Sequence, residues 1–217
     1  MEKENEKGYC TLYLVRHGET EWNVKKITQG QSESYLTENG IQQAEETAQK
    51  LKDIKFDAIF SSDLSRTYRT AEIIKLDREI VIQTSKMLRE RACGRFEKQH
   101  SNIFKEVLKE KIAERKKLSE EDSWNFRLDE DVETDEEIVS RFLVHIREIA
   151  VAYPNKTVLV VSHGGPLRMF LAKTGYVPKK ELPGGAFKNG GYIKVLSDGV
   201  NFFVKEAEGL QKPKGGE

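Results

Sequence analysis

Two cysteines in 217 residues, Cys10 and Cys93, are too few for a disulfide framework, so both are expected to be free thiols of a cytoplasmic protein. Long apolar runs are missing too. No stretch approaches the roughly 18 residues that a membrane span needs, and the opening MEKENEKGYC has no apolar core of the kind a secretory leader carries. Charge of one sign is also missing, because Lys+Arg and Asp+Glu balance at 36 each. Net charge therefore supplies no field for nucleic acid or a membrane surface, and any anion site must be a local arrangement. No internal repeat is visible.

What is present is ordinary for a globular chain: 37% apolar and 33% charged residues. The length suits one large domain, or one domain with an inserted subdomain, and can bury a substantial core. TLYLVR (11–16), DAIFSS (57–62), EIVIQ (79–83) and TVLVVS (157–162) are short, apolar and β-branched, which predicts strands. Between them, 36–51 places Ile41, Ala44, Ala48 and Leu51 at helical spacing behind a capping Thr37. Residues 63–76 predict a helix capped by Ser62 or Asp63, and 166–175 a short helix closed by Gly175. In VETDEEIVSRFLVHIREIAVAY, Ile138, Phe142, Ile146 and Ile149 line one face, Thr134 and Glu137 form a capping-box pattern, and Pro154 ends the helix. A hairpin is expected around Asp198-Gly199, and a frayed tail over 208–217. Residues 98–131 are dominated by charge, and Ile103, Val107 and Ile112 suggest a helical excursion there. Alternating strands and helices predict one domain of α/β class: a three-layer α/β/α sandwich, mostly parallel, with a helical insertion over the active site.

Ligands in such folds sit beyond the carboxyl ends of the strands, and three strand ends here carry cations. The first runs into Arg16-His17-Gly18, the second into a helix with Arg66 in its first turn, and TVLVVS into His163-Gly164-Gly165. Taken singly, each has a plain reading: a satisfied core histidine, a surface arginine, a loop hydrogen bond. His17 alone could be a metal ligand, a proton shuttle or a nucleophile. Together, two imidazoles and two guanidiniums on one sheet edge, with glycines that admit backbone N–H groups, imply a phosphoryl ligand. Two guanidiniums would repel a divalent cation, and no zinc-type spacing accompanies the histidines, so no metal and no cofactor is expected.

These residues resemble the histidine phosphatase superfamily, also called the phosphoglycerate mutase-like family. Arg16-His17-Gly18-Glu19-Thr20 matches its R-H-G-E-T signature, with Asn23 where that signature has its asparagine. SSDLSRTYRTA is similar to the segment carrying a phosphate-binding arginine, here Arg66. LRERACGRFE resembles the segment holding the acid, here Glu90, and VVSHGGPLR the second-histidine motif. The likeness spans about residues 11–170 in the family's order. It implies that His17 is the nucleophile that becomes phosphohistidine. Arg16, Arg66 and His163 would hold the phosphoryl oxygens, Glu90 would pass the proton, and Asn23, Gln29, Gly30 and Gly164 would add neutral donors. Glu19 is expected as a buried partner of one of the cations and Thr20 as a helix cap, with Glu133 and Arg141 as structural residues.

Within the family, Gly164-Gly165-Pro166 departs from the mutases' Gly-Asn-Ser, no R-R-S-Y segment occurs in 98–131, and Gln29-Gly30 resembles the phosphatase branch. The expected activity is hydrolysis of a small phosphorylated metabolite. A cofactor-dependent mutase and a silent phospho-ligand binding module are the alternatives. Two features depart from the pattern: Lys98 follows Glu97 where a glycine is usual, and Cys93 lies near the pocket. Lys105, Lys109, Lys111, Lys116 and Lys117 could attract a second phosphate, but a solvated helix face is the simpler expectation.

Overall fold

The computed structural model describes residues 8–211. Its sheet is built from β1 (Cys10–Arg16), β2 (Ala58–Ser62), β3 (Ile82–Ser85), β4 (Thr157–Ser162), β5 (Phe187–Ser197) and β6 (Phe202–Leu210). The helices are α1 (Glu21–Val24), α2 (Glu38–Lys50), α3 (Ser65–Lys75), α4 (Ser101–Val107), α5 (Lys109–Arg115), α6 (Asp135–Ala152) and α7 (Gly164–Lys173). Strand order is β3-β2-β4-β1-β5-β6. The first four strands run parallel, and β5 and β6 add an antiparallel edge.

Strand side chains alternate between faces, so a sheet covered on both sides needs apolar residues at every position. Leu12, Leu14, Val158 and Val160 face α6 and α7, meeting Ile138, Phe142, Ile146 and Phe170. Tyr13, Val15, Leu159 and Val161 face α2 and α3, meeting Ala48, Leu51, Ala71 and Ile74. This is the expected three-layer sandwich. The capping residues behave as expected at α2, where Thr37 accepts from the Gly40 N–H at 2.9 Å, and at α6, where Thr134 and Glu137 form a full capping box.

Several expectations need correction. Neither Ser62 nor Asp63 caps α3: Glu33 takes the Ser65 N–H at 3.0 Å, while Asp63 is held by Arg89 through two bonds of 2.7 Å. The third strand lies at 82–85 rather than 79–83, leaving Val81 exposed, because its pairing with β2 begins only at Ile82. The excursion at 98–131 is helical but broken at Leu108 into two short helices and a 3-10 turn, Asp122–Trp124. Of the expected face only Ile112 is inward: it packs with Phe104 and Leu108 on Phe96 and Val132, whereas Ile103 and Val107 are exposed, so the buried face of α4 is one residue out of the expected phase. Residues 208–210 are not frayed, since Glu208 and Leu210 pair with Tyr192 and Phe187 in the sheet. Residues 212–217 of that tail lie outside the described residues. Both cysteines are free, with burial pushing each thiol up to about 12.

Lys98 explains its own departure from the family pattern. Its φ is +66°, the left-handed region that favours glycine, and its N–H is committed to the Thr28 carbonyl at 2.9 Å. The backbone keeps the glycine conformation although the side chain has changed. Lys98→Gly should therefore raise stability by about 0.5–1 kcal/mol in urea unfolding, and Lys98→Val should lower it. A Gly variant less stable than the parent would contradict this account of the turn.

Candidate active site

The parallel register brings the sequence-expected residues to one sheet edge. Arg16 pairs with Ser162 across β1 and β4, and the His17 N–H extends the ladder to the Ser162 carbonyl at 3.1 Å. His17 and His163 thus leave adjacent strands side by side, with ring centroids 5.1 Å apart. Arg66 reaches them from the first turn of α3, behind the neighbouring β2.

Hydrogen bonds fix the two imidazoles in opposite tautomers. His17 Nδ1 donates to the Gly18 carbonyl at 2.7 Å, which leaves the lone pair on Nε2. His163 Nδ1 accepts from Arg66 Nε at 3.3 Å, which leaves the hydrogen on Nε2. That Nε2–H is buried without a partner among the described residues, and so is Arg16 Nε. Two buried donors therefore lie unsatisfied at one site. Burial first, and then the guanidiniums of Arg66 and Arg16, hold His17 well below the ordinary histidine range; burial and Arg66 do the same to His163. Both rings are neutral at physiological pH.

The arginines are fixed by neutral acceptors. Arg66 is 1% exposed and donates through Nη1 and Nη2 to the Ser32 and Gly30 carbonyls, both at 2.8 Å. Arg16 donates to the Phe187 carbonyl. Burial lowers each to about 10, so both stay charged. Glu90 faces them, taking the Arg91 N–H at 2.8 Å and the Gly165 N–H at 3.1 Å. A Cβ on Gly165 would stand 2.0 Å from a Glu90 oxygen, and one on Gly164 would press on Arg16 Nε at 3.1 Å. The glycines after His163 are thus steric requirements of the site.

The remaining expected residues divide. Gly30, at φ +51°, gives its carbonyl to Arg66, and the Gln29 Oε1 is buried without a partner among the described residues. Thr20 caps α1 as expected, in a capping box with Asn23, whose Oδ1 accepts from the Thr20 N–H at 3.1 Å and so leaves Nδ2 as its free donor end. Among the described residues Glu19 pairs with no cation; it accepts from Thr37 Oγ1 at 2.9 Å and Asn39 Nδ2 at 3.1 Å. Sequence reasoning missed Asn189, whose Nδ2 holds the His17 carbonyl at 2.9 Å, because it comes from the far end of the chain. It missed Glu97 as well, which takes the N–H groups of Gln31 and Cys93 at 3.0 Å and joins the two loops around Glu90. Arg141, gripped by Glu133, holds the Glu90 carbonyl at 2.9 Å. Among the described residues no helix is long and apolar enough to cross a membrane.

Two neutral imidazoles, two buried guanidiniums and one carboxylate thus share one edge of the sheet. The family pattern of the histidine phosphatase superfamily (branch 1) matches residues 12–207, and the chain belongs to that family. An uncharacterized phosphatase PhoE of Bacillus subtilis is 34% identical over 160 residues, covering 74% of this chain and 75% of that protein. A probable phosphoglycerate mutase GpmB of Cronobacter sakazakii is 45% identical over 95 residues, 44% of each chain. Among solved structures, YhfR of Bacillus stearothermophilus superposes with a TM-score of 0.81 at 29% identity, covering 93% of this chain and 97% of its own. A phosphoglycerate mutase from Bacillus anthracis gives 0.81 at 26%, covering 96% of both. The chain is accordingly a histidine phosphatase superfamily enzyme, of phosphatase or mutase-like type.

The lowered histidines make stability depend on pH. Unfolded histidines take up protons near pH 6.5, whereas His17 and His163 in the fold do not. Their contribution is complete above that pH and is lost as pH falls through it, by up to about 1.4 kcal/mol per pH unit for each ring. The urea midpoint should drop between pH 7.5 and 5.5, and about half of that slope should vanish in His17→Ala. A midpoint that ignores pH over this range would rule out buried neutral rings.

Proposed function

We propose that this enzyme is a metal-independent phosphatase that hydrolyses a small phosphomonoester through a phosphohistidine on His17. The opposite tautomers of the two buried imidazoles carry the reading: one offers a lone pair, the other a hydrogen. His17 Nε2 attacks phosphorus in line, while His163 Nε2–H and Arg16 Nε–H donate to the oxygens on which charge develops. Arg66 has five N–H groups and gives three to Gly30, Ser32 and His163, so two remain for the phosphoryl group. Asn23 and the backbone around Gly30 and Gly164 line the same pocket in this reading. Glu90 gives its proton to the departing alkoxide, then takes one from the water that cleaves the P–N bond and frees His17. Charge on the phosphoryl group is met by guanidiniums in this reading.

The phosphatase relative supports hydrolysis over the broader share of the chain. The mutase reading rests on the GpmB likeness, which covers under half of it. A silent binding module fits poorly with His17, Arg16, Arg66, Glu90 and His163 all facing one site. The substrate is taken to be a small phosphorylated metabolite in the cytoplasm, with neither nucleic acid nor membrane as partner.

His17→Ala should remain folded and lose phosphatase turnover on the order of 10⁴-fold or more, and intact-mass analysis of the parent should catch a single phosphoryl adduct that the variant lacks. Full activity in the variant would exclude the covalent route. Interconversion of 2- and 3-phosphoglycerate after priming with bisphosphoglycerate, faster than phosphate release, would establish the mutase instead. Glu90→Gln should cost about 10²–10⁴-fold with an alkyl phosphate and far less with p-nitrophenyl phosphate, whose leaving group needs little protonation. Equal losses with both esters would remove Glu90 from the proton-transfer role.

A further inference from the structure

A buried carboxylate that the phosphoryl chemistry does not touch lies one side chain away from Glu90. Asp135, at the start of α6, is 2% exposed. The helix end does not require it there, because Thr134 and Glu137 already close a full capping box. Its two oxygens hold different parts of the chain. Oδ1 takes Arg91 Nη2 at 2.5 Å. Oδ2 takes Arg115 Nη2, from the insertion, and lies 3.1 Å from Lys179 Nζ, which also stands over the Trp124 ring at 4.5 Å. Burial alone would push this carboxyl up, but the three cations outweigh it and hold it below the ordinary aspartate range. The insertion's lysines, Lys105, Lys109, Lys111, Lys116 and Lys117, are all exposed, the solvated face expected of them.

Arg91 follows Glu90 in the chain, and its N–H is one of two donors that aim the Glu90 carboxylate. It holds Oε1 at 2.8 Å, while the Gly165 N–H holds Oε2 at 3.1 Å. Gly165 is fixed by the first turn of α7. The Arg91 N–H belongs to a loop, so it is only as steady as residue 91 itself. That residue is pinned by both ends of its guanidinium fork: Nη1 donates to the Glu133 carbonyl and Nη2 to Asp135 Oδ1, each at 2.5 Å. Of the two acceptors only Asp135 is charged, and charge-assisted bonds of this kind are the stronger. The peptide that joins Glu90 to Arg91 is thus held on its carbonyl side by Arg141 and beyond its nitrogen by the Arg91 fork.

We propose that Asp135 is a positioning residue for Glu90: through the Arg91 fork it fixes the peptide N–H that points the carboxyl group at the leaving oxygen. The inference rests on the phosphomonoesterase reading, in which Glu90 moves the proton. A displacement of about 1 Å is enough to spoil a proton transfer. His17 and His163 stand on other segments and keep their places, so the loss falls on the step that needs the acid.

Two esters separate positioning from simple support of the fold. In Asp135→Asn, kcat/KM should fall about tenfold to a hundredfold with glycerol 3-phosphate. With p-nitrophenyl phosphate it should stay within about threefold, since that leaving group needs little protonation. Added to Glu90→Gln, the same change should cost less than about threefold more with glycerol 3-phosphate, because the two residues act in series. Equal losses with both esters, no loss with either, or losses that multiply in the double variant overturn the proposal. Arg91→Met leaves Asp135 paired with Arg115 and Lys179; it should show the same split, and serves alone if Asp135→Asn does not fold. If the wild-type enzyme hydrolyses no alkyl phosphate, or Glu90→Gln loses equally with both esters, the reading of Glu90 as the acid fails by itself, and amide hydrogen exchange then decides the positioning. The N–H of residue 91 should exchange about tenfold faster in whichever variant folds, under conditions where the β1 amides keep their rates. An unchanged rate at residue 91, or a parallel rise in β1, overturns it.

Discussion

The site depends on one buried cation that has no carboxylate of its own. Arg66 is held by an imidazole and two loop carbonyls, and those three bonds do separate things. The bond to His163 fixes which nitrogen of that ring carries hydrogen. The bonds to Gly30 and Ser32 set the loop that closes one wall. The charge itself, kept near but unneutralised, adds to burial in keeping both histidines neutral. A paired arginine would lose most of that field. Glu90, Glu33 and Glu97 stand at a distance that eases the burial without cancelling it. Donors oriented in this way before a substrate arrives need no reorganisation when charge develops, which is where electrostatic catalysis gains most.

Close backbone approach supports the same geometry. A Cβ on Gly18 would meet the Gly40 carbonyl at 2.2 Å, and one on Gly40 would meet the Glu19 carbonyl at 2.0 Å. The turn after His17 and the first turn of α2 are therefore in backbone contact, and Asn189 secures the His17 carbonyl from the other side. Glu90 is held as tightly: its carboxylate by the Gly165 and Arg91 N–H groups, its carbonyl by Arg141 and Gln31. His17 and Glu90 sit on different loops, yet neither is free to drift.

Much of this was legible in the sequence because it is written locally. A strand ending in Arg16-His17 or in His163 announces itself by apolar runs and by the glycine that follows. The α6 face and its capping box are equally local. What escaped prediction is set by distant partners. Asp63 looks like a cap until Arg89 claims it, and Glu33, 32 positions from Ser65, takes its place. The phase of α4 follows from Phe96 and Val132, which lie outside the helix. Glu19 reads as a partner for a cation because the cations are adjacent in sequence, but the chain turns it towards Thr37 and Asn39. Helical period and turn chemistry carry no information about such pairings.

Net charge misleads for a related reason. A chain with 36 charges of each sign has no global field, yet an anion responds only to groups within about one Debye length, roughly 10 Å at 0.1 M salt. Inside that radius the balance is local, and folding sets it by sorting like charges together. Arg91 is fixed to the loop that carries Glu90, Arg115 comes from the insertion and Lys179 from a 3-10 turn after α7; all three converge on one aspartate. Asp135 already complements the start of α6 along with Glu136 and Glu137, so the helix end has no need of three cations. The buried carboxylate is what draws them: at 2% exposure Asp135 stays charged only with such partners beside it. The insertion is thus fastened to the body twice, by its apolar face on Phe96 and Val132 and by the ion pair of Arg115, at the end of α5, with Asp135.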